Sequence, residues 1–361
     1  MRIMHLEFGQ HLYGGAAQVR YLIKGLSDCG IENILVCPLN SEIAKVTCAT
    51  EVVELSISGD LDLRLPIRLK NLISLYDPSV VHAHSRRGAD TVGGWTSRFM
   101  GVPAVLTRRV DNREVAFWAR FKYFPYHAIA AISSAVEKEL LSHVGLPRSH
   151  VHKVPSAVDT ERYSPVKNRT KLAEVAGLDP SAFIIGIVAQ FIPRKGHAVL
   201  FKCLPELFSR FPQARLLCFG QGPLEGSLRK DLIARGLDSQ VKFLGFRADL
   251  PDLIPELDLL VHPAKQEGLG VAIMEAMSSG VPVITSTAGG MTDLLEDQVH
   301  GLTFESEDKS GLLNAMVRLL SDSGLRMRFK TAGRKRVQDQ FSVEKMTRRY
   351  VEIYNQVLRS S

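Results

Sequence analysis

The chain has 361 residues, of which 45% are hydrophobic and 23% are charged, and its formal net charge is +7. This length allows two domains, each with its own core, and no apolar run approaches a membrane span, which excludes a chain that crosses a bilayer. The positive charge suits phosphate-bearing substrates or an anionic membrane surface. Neither zinc-finger spacing nor an RNA-binding signature occurs, which argues against nucleic acid as a partner.

The N-terminus and the cysteines indicate a compartment. The N-terminal residues MRIMHLEFG are too short and too polar for the apolar region of a signal peptide. The five cysteines form no CxxC pair, and most of them lie in apolar surroundings, as reduced core thiols do. We therefore expect a cytoplasmic protein.

The first candidate binding element is a pair of glycines near the N-terminus. Residues 3–8 are predicted to form a strand and residues 16–27 a helix, and the turn between them contains Gly14 and Gly15. Glycines at such a turn let the backbone approach a ligand phosphate. A plain turn is the alternative. The turn lacks the G-x-G-x-x-G pattern, which argues against a dinucleotide dehydrogenase.

The first half of the chain continues as alternating strands and helices, and two of its strands end in polar residues. His84 ends the strand at 79–84, close to the strand's carboxyl end, although a packed core histidine is the alternative. Arg108, Arg109 and Asp111 follow the strand at 103–107. Such arginines can clamp a phosphate or an acidic acceptor, and a solvated surface pair is the alternative. The other predicted strands are 34–37, 52–55, 128–132 and 151–154, with helices at 65–76 and 135–143.

Residues 113–124 interleave aromatic and basic side chains with helical spacing. This composition is typical of a helix that lies in a membrane interface. We therefore hypothesise that the segment touches the membrane surface or a lipid-linked acceptor. Packing of the aromatic side chains into the core is the alternative.

The second half repeats the alternation after a Pro- and Ser-containing connection at 155–165. A buried strand at 183–189 leads into Gln190, Arg194 and Lys195, which precede a helix. A lysine beside a glycine at a helix start is suited to a diphosphate. Phe246 and Arg247 follow a further strand at 241–245. The glycines at 220, 222 and 226 only approximate a dinucleotide fingerprint and are interpreted as structural.

Residues 257–286 predict a strand, a glycine loop, a helix and a second strand. The helix start offers unpaired amides to an anion, and two carboxylates flank it, Glu267 before the glycines and Glu275 within the helix. Carboxylates would be repelled by a diphosphate, so we expect them to bind hydroxyl groups. A ligand with a diphosphate in the middle and hydroxyl groups at both ends is a nucleotide sugar. Acidic residues that merely favour the helix dipole are the alternative. Gly268, Leu269 and Gly270 belong to the loop and Val271 to the start of the helix, and all four are candidate donor-binding residues.

These motifs resemble the retaining glycosyltransferases of family 4. Glu267 and Glu275, with seven residues between them in EGLGVAIMEAMSSGVPVI, match the E-x7-E signature of that family. The Lys195-Gly196 pair, the Gly-Gly turn and the His-x-His strand end also match, so that the resemblance covers most of the chain. It implies an α/β GT-B fold with two Rossmann-like domains facing each other across a cleft. Residues 1–160 would form the acceptor domain, 161–340 the nucleotide-sugar donor domain, and 341–361 a helix that crosses back to the first domain.

The resemblance also implies an activity. A hexose would move, with retention, from a nucleotide sugar (a UDP-sugar, or alternatively a GDP-sugar) to a hydroxyl of a lipopolysaccharide or lipid-linked glycan at the cytoplasmic membrane face. No DxD-like site occurs at a matching place, so neither a metal nor another cofactor is expected. The chain departs from the family pattern at Gln190, where the family has arginine, and at Arg108 and Arg109, where many members carry a histidine.

The resemblance assigns a role to each candidate residue. Lys195 and Arg194 would stabilise the departing diphosphate, Glu267 would bind the donor sugar and Glu275 the ribose. The backbone at Gly15 would face the diphosphate, and Phe246 and Arg247 lie where the family seats the base. A nucleotide-sugar epimerase of the same fold and a non-catalytic nucleotide-sugar binding protein are the alternative functions.

Overall fold

The computed structural model describes residues 1–45, 47–57, 62–85, 88–110, 112–166 and 169–360. The chain divides into two compact units. The first unit comprises Met1–Ala157 together with Val343–Ser361, and the second comprises Val158–Ser342.

The first unit is built on a parallel sheet whose strands run in the order β3-β2-β1-β4-β5-β6-β7. Apolar strands dominate it, and every residue of β4 and of β6 is buried, which fits a sheet covered on both faces. The elements are β1 Arg2–Leu6, α1 Gly14–Asp28, β2 Glu32–Pro38, β3 Glu51–Leu55, α2 Leu65–Tyr76, β4 Val80–Ala83, α3 Gly94–Phe99, β5 Ala104–Arg108, α4 Ala116–Tyr123, β6 Ala128–Ala131, α5 Ser134–Lys138 and β7 Val151–Lys153.

The second unit contains a parallel sheet in the order β10-β9-β8-β11-β12-β13. Apolar side chains of its strands and helices form one continuous core. Its elements are α6 Lys171–Ala176, β8 Phe183–Val188, α7 His197–Arg210, β9 Ala214–Phe219, α8 Glu225–Ala234, β10 Val241–Gly245, α9 Leu250–Leu253, β11 Leu259–His262, α10 Val271–Ser278, β12 Val283–Ser286, α11 Met291–Leu294, β13 Leu302–Phe304, α12 Lys309–Ser321 and α13 Ser323–Gln340.

The last helix, α14 Val343–Ser360, belongs to the first unit. Its buried residues recur with helical spacing, which gives it one apolar face. That face packs with α1 into the core of the first unit. The buried side chains of α14 are Val343, Met346, Thr347, Tyr350, Ile353, Tyr354 and Val357.

In both sheets successive strands are first added towards one edge and then towards the other, so the strand order reverses between two neighbouring strands. The reversal lies between β1 and β4 in the first unit and between β8 and β11 in the second. Ligands of such sheets bind at the carboxyl ends of the strands at this point. Two Rossmann-like parallel sheets confirm the α/β prediction. Within the described part of the chain, no helix combines the length and apolarity that a membrane span requires.

Candidate functional site

The clearest candidate site lies in the second unit, where β8 and β11 meet. Lys195 follows β8 in a single helical turn, Pro193–Lys195, and Glu267 lies in the loop after β11. The ammonium of Lys195 donates to Glu267 Oε2, and both side chains are largely buried. The structure therefore brings together two residues that lie far apart in the sequence.

Gly196 explains why the two loops can approach so closely. Its φ is +74°, and a Cβ at this position would stand 1.7 Å from the carbonyl oxygen of Pro263. Only glycine fits such a position. The amide of Lys265 also donates to the carbonyl oxygen of Arg194 at 2.7 Å, which ties the loop after β8 to the loop after β11.

Glu267 is held as a carboxylate. Burial opposes its ionisation, but hydrogen bonds from His262 and Lys195 outweigh burial and hold its pKa well below the usual range. His262 Nε2 lies 2.9 Å from Oε2, and the amide of Gly268 donates to Oε1 at 3.2 Å. Lys195, His262 and the amide of Gly268 thus all act as donors to this carboxylate.

His262 was missed by the sequence prediction. It ends β11 and is only 2% exposed, so that in the sequence it reads as part of an apolar strand. His197, at the start of α7, lies nearby, and burial together with the charges of His262 and Lys195 lowers its pKa to about 4. Neither ring nitrogen of His197 has a hydrogen-bond partner among the described residues.

The N-terminus of α10 completes this edge of the sheet. Gly270 has a φ of +76° and precedes the helix, and Leu269 beside it is buried. The first-turn amides of a helix lack intrahelical acceptors and favour an anion. The carbonyl oxygen of Glu267 accepts from the amide of Gly290 at 3.1 Å, which fixes the loop.

Glu275, the second carboxylate of the E-x7-E pattern, lies within α10 in a different environment. Burial raises its pKa to about 7, although a hydrogen bond with Tyr163 and the charge of Arg162 act in the opposite direction. The carbonyl oxygen of Tyr163 in turn accepts from Ser278 at 2.6 Å, so the same helix holds Tyr163 in place. Tyr163 was also missed, since it belongs to a connection without a periodic pattern.

The remaining donor-side candidates are accessible. Gln190 and Arg194 are exposed, and Val271 is half-buried in the first turn of α10. Phe246 is 58% exposed just after β10. The guanidinium of Arg247 donates to both oxygens of Asp249 at 2.8 and 2.7 Å, which fixes its direction.

In the first unit, Gly14 and Gly15 lie in the first turn of α1, so the prediction of a loop at these residues is wrong. A Cβ on Gly15 would stand 3.6 Å from Cδ of Arg109, and the side chain of Arg109 therefore runs along the start of α1. Burial lowers the pKa of Arg109, and Tyr350 and Glu7 oppose that shift.

His84 belongs to a buried group of three histidines at the carboxyl ends of β1 and β4. His5, which the sequence prediction missed, lies 2.9 Å from His84 through Nδ1 and Nε2. The ring of His82 is tilted against both, with ring centroids 5.9 Å from His5 and 3.8 Å from His84. Burial lowers the pKa of all three, to about 4 for His5 and well below the usual value for the other two. The three rings are therefore neutral at physiological pH.

These histidines are the one group in the described residues whose nitrogens could together hold a metal, since one nitrogen from each lies within 4.8 Å of the others. However, both nitrogens of His82 are already engaged, with Tyr354 at 2.6 Å and Thr107 at 2.8 Å. Both nitrogens of His5 are engaged as well. A metal would have to break these buried hydrogen bonds, so the group fits a hydrogen-bond network better than a metal site.

The structure uses Arg108 differently from the prediction. Arg108 is 5% exposed, which rules out a solvated surface pair for this residue. Its guanidinium donates to Glu114, Tyr123 and the carbonyl oxygens of Val110 and Asn112. Arg108 therefore holds the segment before α4 in place. Asp111, the fourth candidate of this group, lies outside the described residues.

The aromatic segment before and within α4 leaves its large side chains in solvent. Ala119 and Tyr123 are buried. The remaining aromatic side chains of the segment are exposed, so the alternative that they pack into the core is wrong. Trp118 is 64% exposed. The exposed apolar side chains of the segment are Val115, Phe117, Trp118, Phe121 and Phe124.

Comparison with known proteins gives a family for each half of the chain. The family described as Glycosyltransferase Family 4 matches residues 13–162, and the family described as Glycosyl transferases group 1 matches residues 168–336. A GDP-mannose-dependent monoacylated alpha-(1-6)-phosphatidylinositol monomannoside mannosyltransferase of Corynebacterium glutamicum is 34% identical over 212 residues, 55% of each chain. The chain thus spans about half of that relative.

Two further similarities extend over nearly the whole chain. The lipopolysaccharide core biosynthesis glycosyltransferase LpsE of Rhizobium meliloti is 25% identical over 357 residues, 98% of each chain. The crystal structure of Anabaena Alr3699/HepE in complex with UDP superposes with a TM-score of 0.86 at 20% identity, over 99% of this chain and 100% of that one. The structural likeness shows that the chain has the GT-B fold. Because the two glycosyltransferase family models together span residues 13–336, the protein belongs to the family 4 glycosyltransferases.

Proposed function

We propose that the protein transfers a hexose from a nucleotide sugar to a hydroxyl of a lipopolysaccharide or lipid-linked glycan, with retention and without a metal. The observation that carries this proposal is the Lys195–Glu267 pair beside the N-terminus of α10, at the carboxyl ends of β8 and β11. We assign the donor to the second unit and the acceptor to the first.

The chemistry requires stabilisation of a departing nucleoside diphosphate. Lys195 and the first-turn amides of α10 offer positive charge and hydrogen bonds at one place, and exposed Arg194 stands beside them. These groups can supply the charge stabilisation that a metal provides elsewhere, which supports a metal-independent reaction. Hydrogen bonds from Lys195 and His262 keep Glu267 ionised. It is therefore suited to accept a hydrogen bond from a hydroxyl of the donor sugar.

Retention fits the environment of Glu267. Because Lys195, His262 and the amide of Gly268 all donate to its oxygens, this carboxylate is a weak nucleophile. We therefore propose attack by the acceptor on the same face from which the diphosphate leaves. The bond from the anomeric carbon to the phosphate oxygen breaks, the bond to the acceptor oxygen forms, and the acceptor proton passes to the phosphate.

The donor and acceptor classes are proposed from the relatives together with the site. UDP is proposed as the nucleotide because the Anabaena structure was solved with UDP, and GDP is the alternative because the Corynebacterium relative is named as GDP-mannose-dependent. The name of the Rhizobium relative supports a lipopolysaccharide acceptor. With such an acceptor, we propose action at the cytoplasmic face of the membrane.

A panel of UDP-, GDP- and ADP-sugars tests the donor site. We expect one donor to raise the melting temperature, since a ligand at 100 times its Kd stabilises a protein by about 2.7 kcal/mol, and to release its nucleoside diphosphate slowly. Lys195→Ala and Glu275→Ala should abolish the release. Lys265→Ala is the matched control, because that exposed lysine pairs with Glu307 and should leave the release unchanged.

The same panel separates the alternative functions. Interconversion of sugars without diphosphate release would indicate an epimerase. Binding without either reaction would indicate a binding protein. An absence of any thermal shift would contradict the proposed donor site.

We further propose that the exposed aromatic segment at 113–124 contacts the membrane. Exposed Phe117, Trp118 and Phe121 stand next to basic side chains, a combination that favours an anionic lipid surface. Substitution of Trp118 and Phe121 by serine should reduce sedimentation with phosphatidylglycerol-containing vesicles, because apolar contact area is lost. Leu75→Ser, at an exposed position of α2, should have no such effect. Undiminished vesicle binding by the aromatic variant would refute the membrane contact.

A further inference from the structure

The orientation of the Asn33 side-chain amide is fixed by its neighbours. The Nδ2 group donates to the carbonyl oxygen of Ile31 at 2.7 Å and to Ser27 Oγ at 3.1 Å. The carbonyl oxygen Oδ1 must therefore face the remaining partner, His5 Nε2, at 2.9 Å. An amide oxygen only accepts hydrogen bonds, so His5 Nε2 must carry the hydrogen.

This fixes the tautomers of two histidines in sequence. A neutral His5 with its hydrogen on Nε2 has a lone pair on Nδ1, which lies 2.9 Å from His84 Nε2. His84 must then donate from Nε2, and its own Nδ1 is left as a hydrogen-bond acceptor. The direction of every bond in this chain of residues follows from one asparagine.

The acceptor at the end of the chain is buried and has no protein partner among the described residues. His84 is 3% exposed, and the atom without a partner is Nδ1. The same is true of two donors on Arg109, Nε and Nη2. Buried polar atoms are rarely left unpaired in proteins, and such atoms call for a ligand or a water molecule.

His84 and Arg109 lie at the same edge of the sheet. His84 follows β4, Arg109 follows the neighbouring strand β5, and the charge of Arg109 acts on His84. The stem of Arg109 runs along Gly15 at the start of α1. This edge is the carboxyl end of the first unit's sheet, beside the reversal between β1 and β4, where a ligand is expected.

We propose that Asn33, acting through His5, fixes His84 as an acceptor, and that His84 Nδ1 and Arg109 together bind one sugar hydroxyl. The hydroxyl would donate its hydrogen to His84 Nδ1 and accept from the Arg109 guanidinium. A fully ionised phosphate satisfies the arginine but has no hydrogen for the histidine, so the pair selects a hydroxyl over an anion. This proposal rests on the proposed function. Asn33 and His5 are positioning residues, and the hydroxyl comes from the donor hexose or from the acceptor glycan.

The tautomer is tested without any substrate by nitrogen NMR of protein labelled at histidine. We expect His84 to show an unprotonated Nδ1 and a protonated Nε2, assigned by loss of the signals in His84→Asn. His5→Leu removes the acceptor for Nε2, so the two tautomers of His84 should mix. His5→Gln should restore the signal, because its amide can donate to Asn33 and its carbonyl can accept from His84. A protonated Nδ1 in the wild-type protein would overturn the proposal.

Two measurements test which molecule supplies the hydroxyl. The first compares the affinity for a nucleoside diphosphate with that for its nucleotide sugar, and the second is the KM for deacylated lipopolysaccharide oligosaccharide. If the hydroxyl is on the donor hexose, His84→Ala should weaken binding of the nucleotide sugar about tenfold without affecting the nucleoside diphosphate. If it is on the acceptor, the KM for the oligosaccharide should rise by a similar factor. His5→Leu should shift the same quantity, and His5→Gln should recover it.

The outcomes distinguish this proposal from the proposed function. If wild-type protein binds and cleaves a nucleotide sugar but His84→Ala changes neither quantity, the hydroxyl site is refuted while the proposed function stands. If no nucleotide sugar binds the wild-type protein, the proposed function and the hydroxyl site fall together. The NMR result would still decide the tautomer in that case.

Discussion

Glu267 and Glu275 share one sequence pattern but lie in opposite electrostatic environments. Donors from Lys195 and His262 keep the pKa of Glu267 low in spite of burial, whereas burial raises the pKa of Glu275 to about 7. A carboxylate binds two hydroxyls of a ribose best when it is ionised, since it then only accepts. Glu275 must therefore lose a proton before it can bind a ligand in this way near neutral pH.

The affinity for the nucleoside diphosphate should accordingly depend on pH through Glu275. We expect affinity to rise from pH 5 to about pH 7 and then to level, with up to about a tenfold change per pH unit below the pKa. Glu275→Gln should bind more weakly than the wild type at pH 8 and should lose this part of the pH dependence. The phosphate of the nucleotide titrates equally with both proteins, so their difference, measured by calorimetry, isolates Glu275. Parallel pH profiles would contradict the assignment.

The same shift has a defined sign for stability. The pKa of Glu275 in the folded protein lies above its ordinary value of 4.5, so between about pH 4.5 and 7 the folded state holds a proton that the unfolded state has lost. The contribution of Glu275 to the free energy of unfolding therefore falls as the pH rises from about 4.5 to about 7. It is constant above and below that window.

At the scale of residues, sequence motifs predicted the candidate binding residues but not the buried histidines that hydrogen-bond to them. Lys195 was predicted to bind the diphosphate and Glu267 the donor sugar, and the structure brings the two side chains into contact. His262 and His5 could not be recognised, because a buried histidine within an apolar strand gives no periodic signal. His5 bonds to Asn33 and His84, which are distant in sequence, and His262 bonds to Glu267 across the turn after β11, so only the folded chain reveals these contacts.

At the scale of elements, the crossing of α1 and α14 depends on one small residue. A Cβ on Gly25 would stand 2.0 Å from Thr347 Oγ1 and 3.0 Å from its Cβ. The Thr347 hydroxyl donates to the carbonyl oxygen of Val343 at 2.8 Å, so rotating it away from Gly25 would break this hydrogen bond. The two helices can approach this closely because Gly25 has no side chain.

Gly25→Ala should lower the free energy of unfolding by about 1–3 kcal/mol, since overpacking outweighs the gain in helix propensity. Gly226→Ala is the matched control. Gly226 also lies within a helix, but a Cβ there would meet no atom within 4 Å, so this variant should be neutral or more stable by up to about 1 kcal/mol. Urea unfolding of the two variants measures both effects. Equal stability of both variants would show that the crossing tolerates a methyl group.

Element types were more predictable than element ends. Helix α2 was predicted at 65–76 and lies at Leu65–Tyr76, because a proline at its start and an apolar periodicity define it. Helix α1 begins two residues before the predicted start, since Gly14 and Gly15 adopt helical geometry that their intrinsic preferences disfavour. Within the aromatic segment, only Ala116–Tyr123 is helical, and Arg108 with Glu114 holds the residues before it.

At the scale of the whole molecule, periodicity predicted alternating strands and helices but could not predict their order in the sheets. The neighbours of β1 are β2 and β4, and those of β8 are β9 and β11. Buried strands carry no local signal for their neighbours, because each is apolar along its whole length. The resemblance to a family implied two Rossmann-like domains, but the order of the strands and the position of each reversal come from the structure.

The position of α14 has a consequence for how the protein is made. The second unit is one continuous stretch of chain, Val158–Ser342, whereas the first unit includes residues from both ends. Tyr350 and Tyr354, which fill the first unit's core, leave the ribosome after the whole second unit has been synthesised. The second unit can therefore complete its core during translation, while the unit synthesised first must wait for the end of the chain. Until α14 has been synthesised, the apolar side of α1 stays exposed, and a chaperone can bind there.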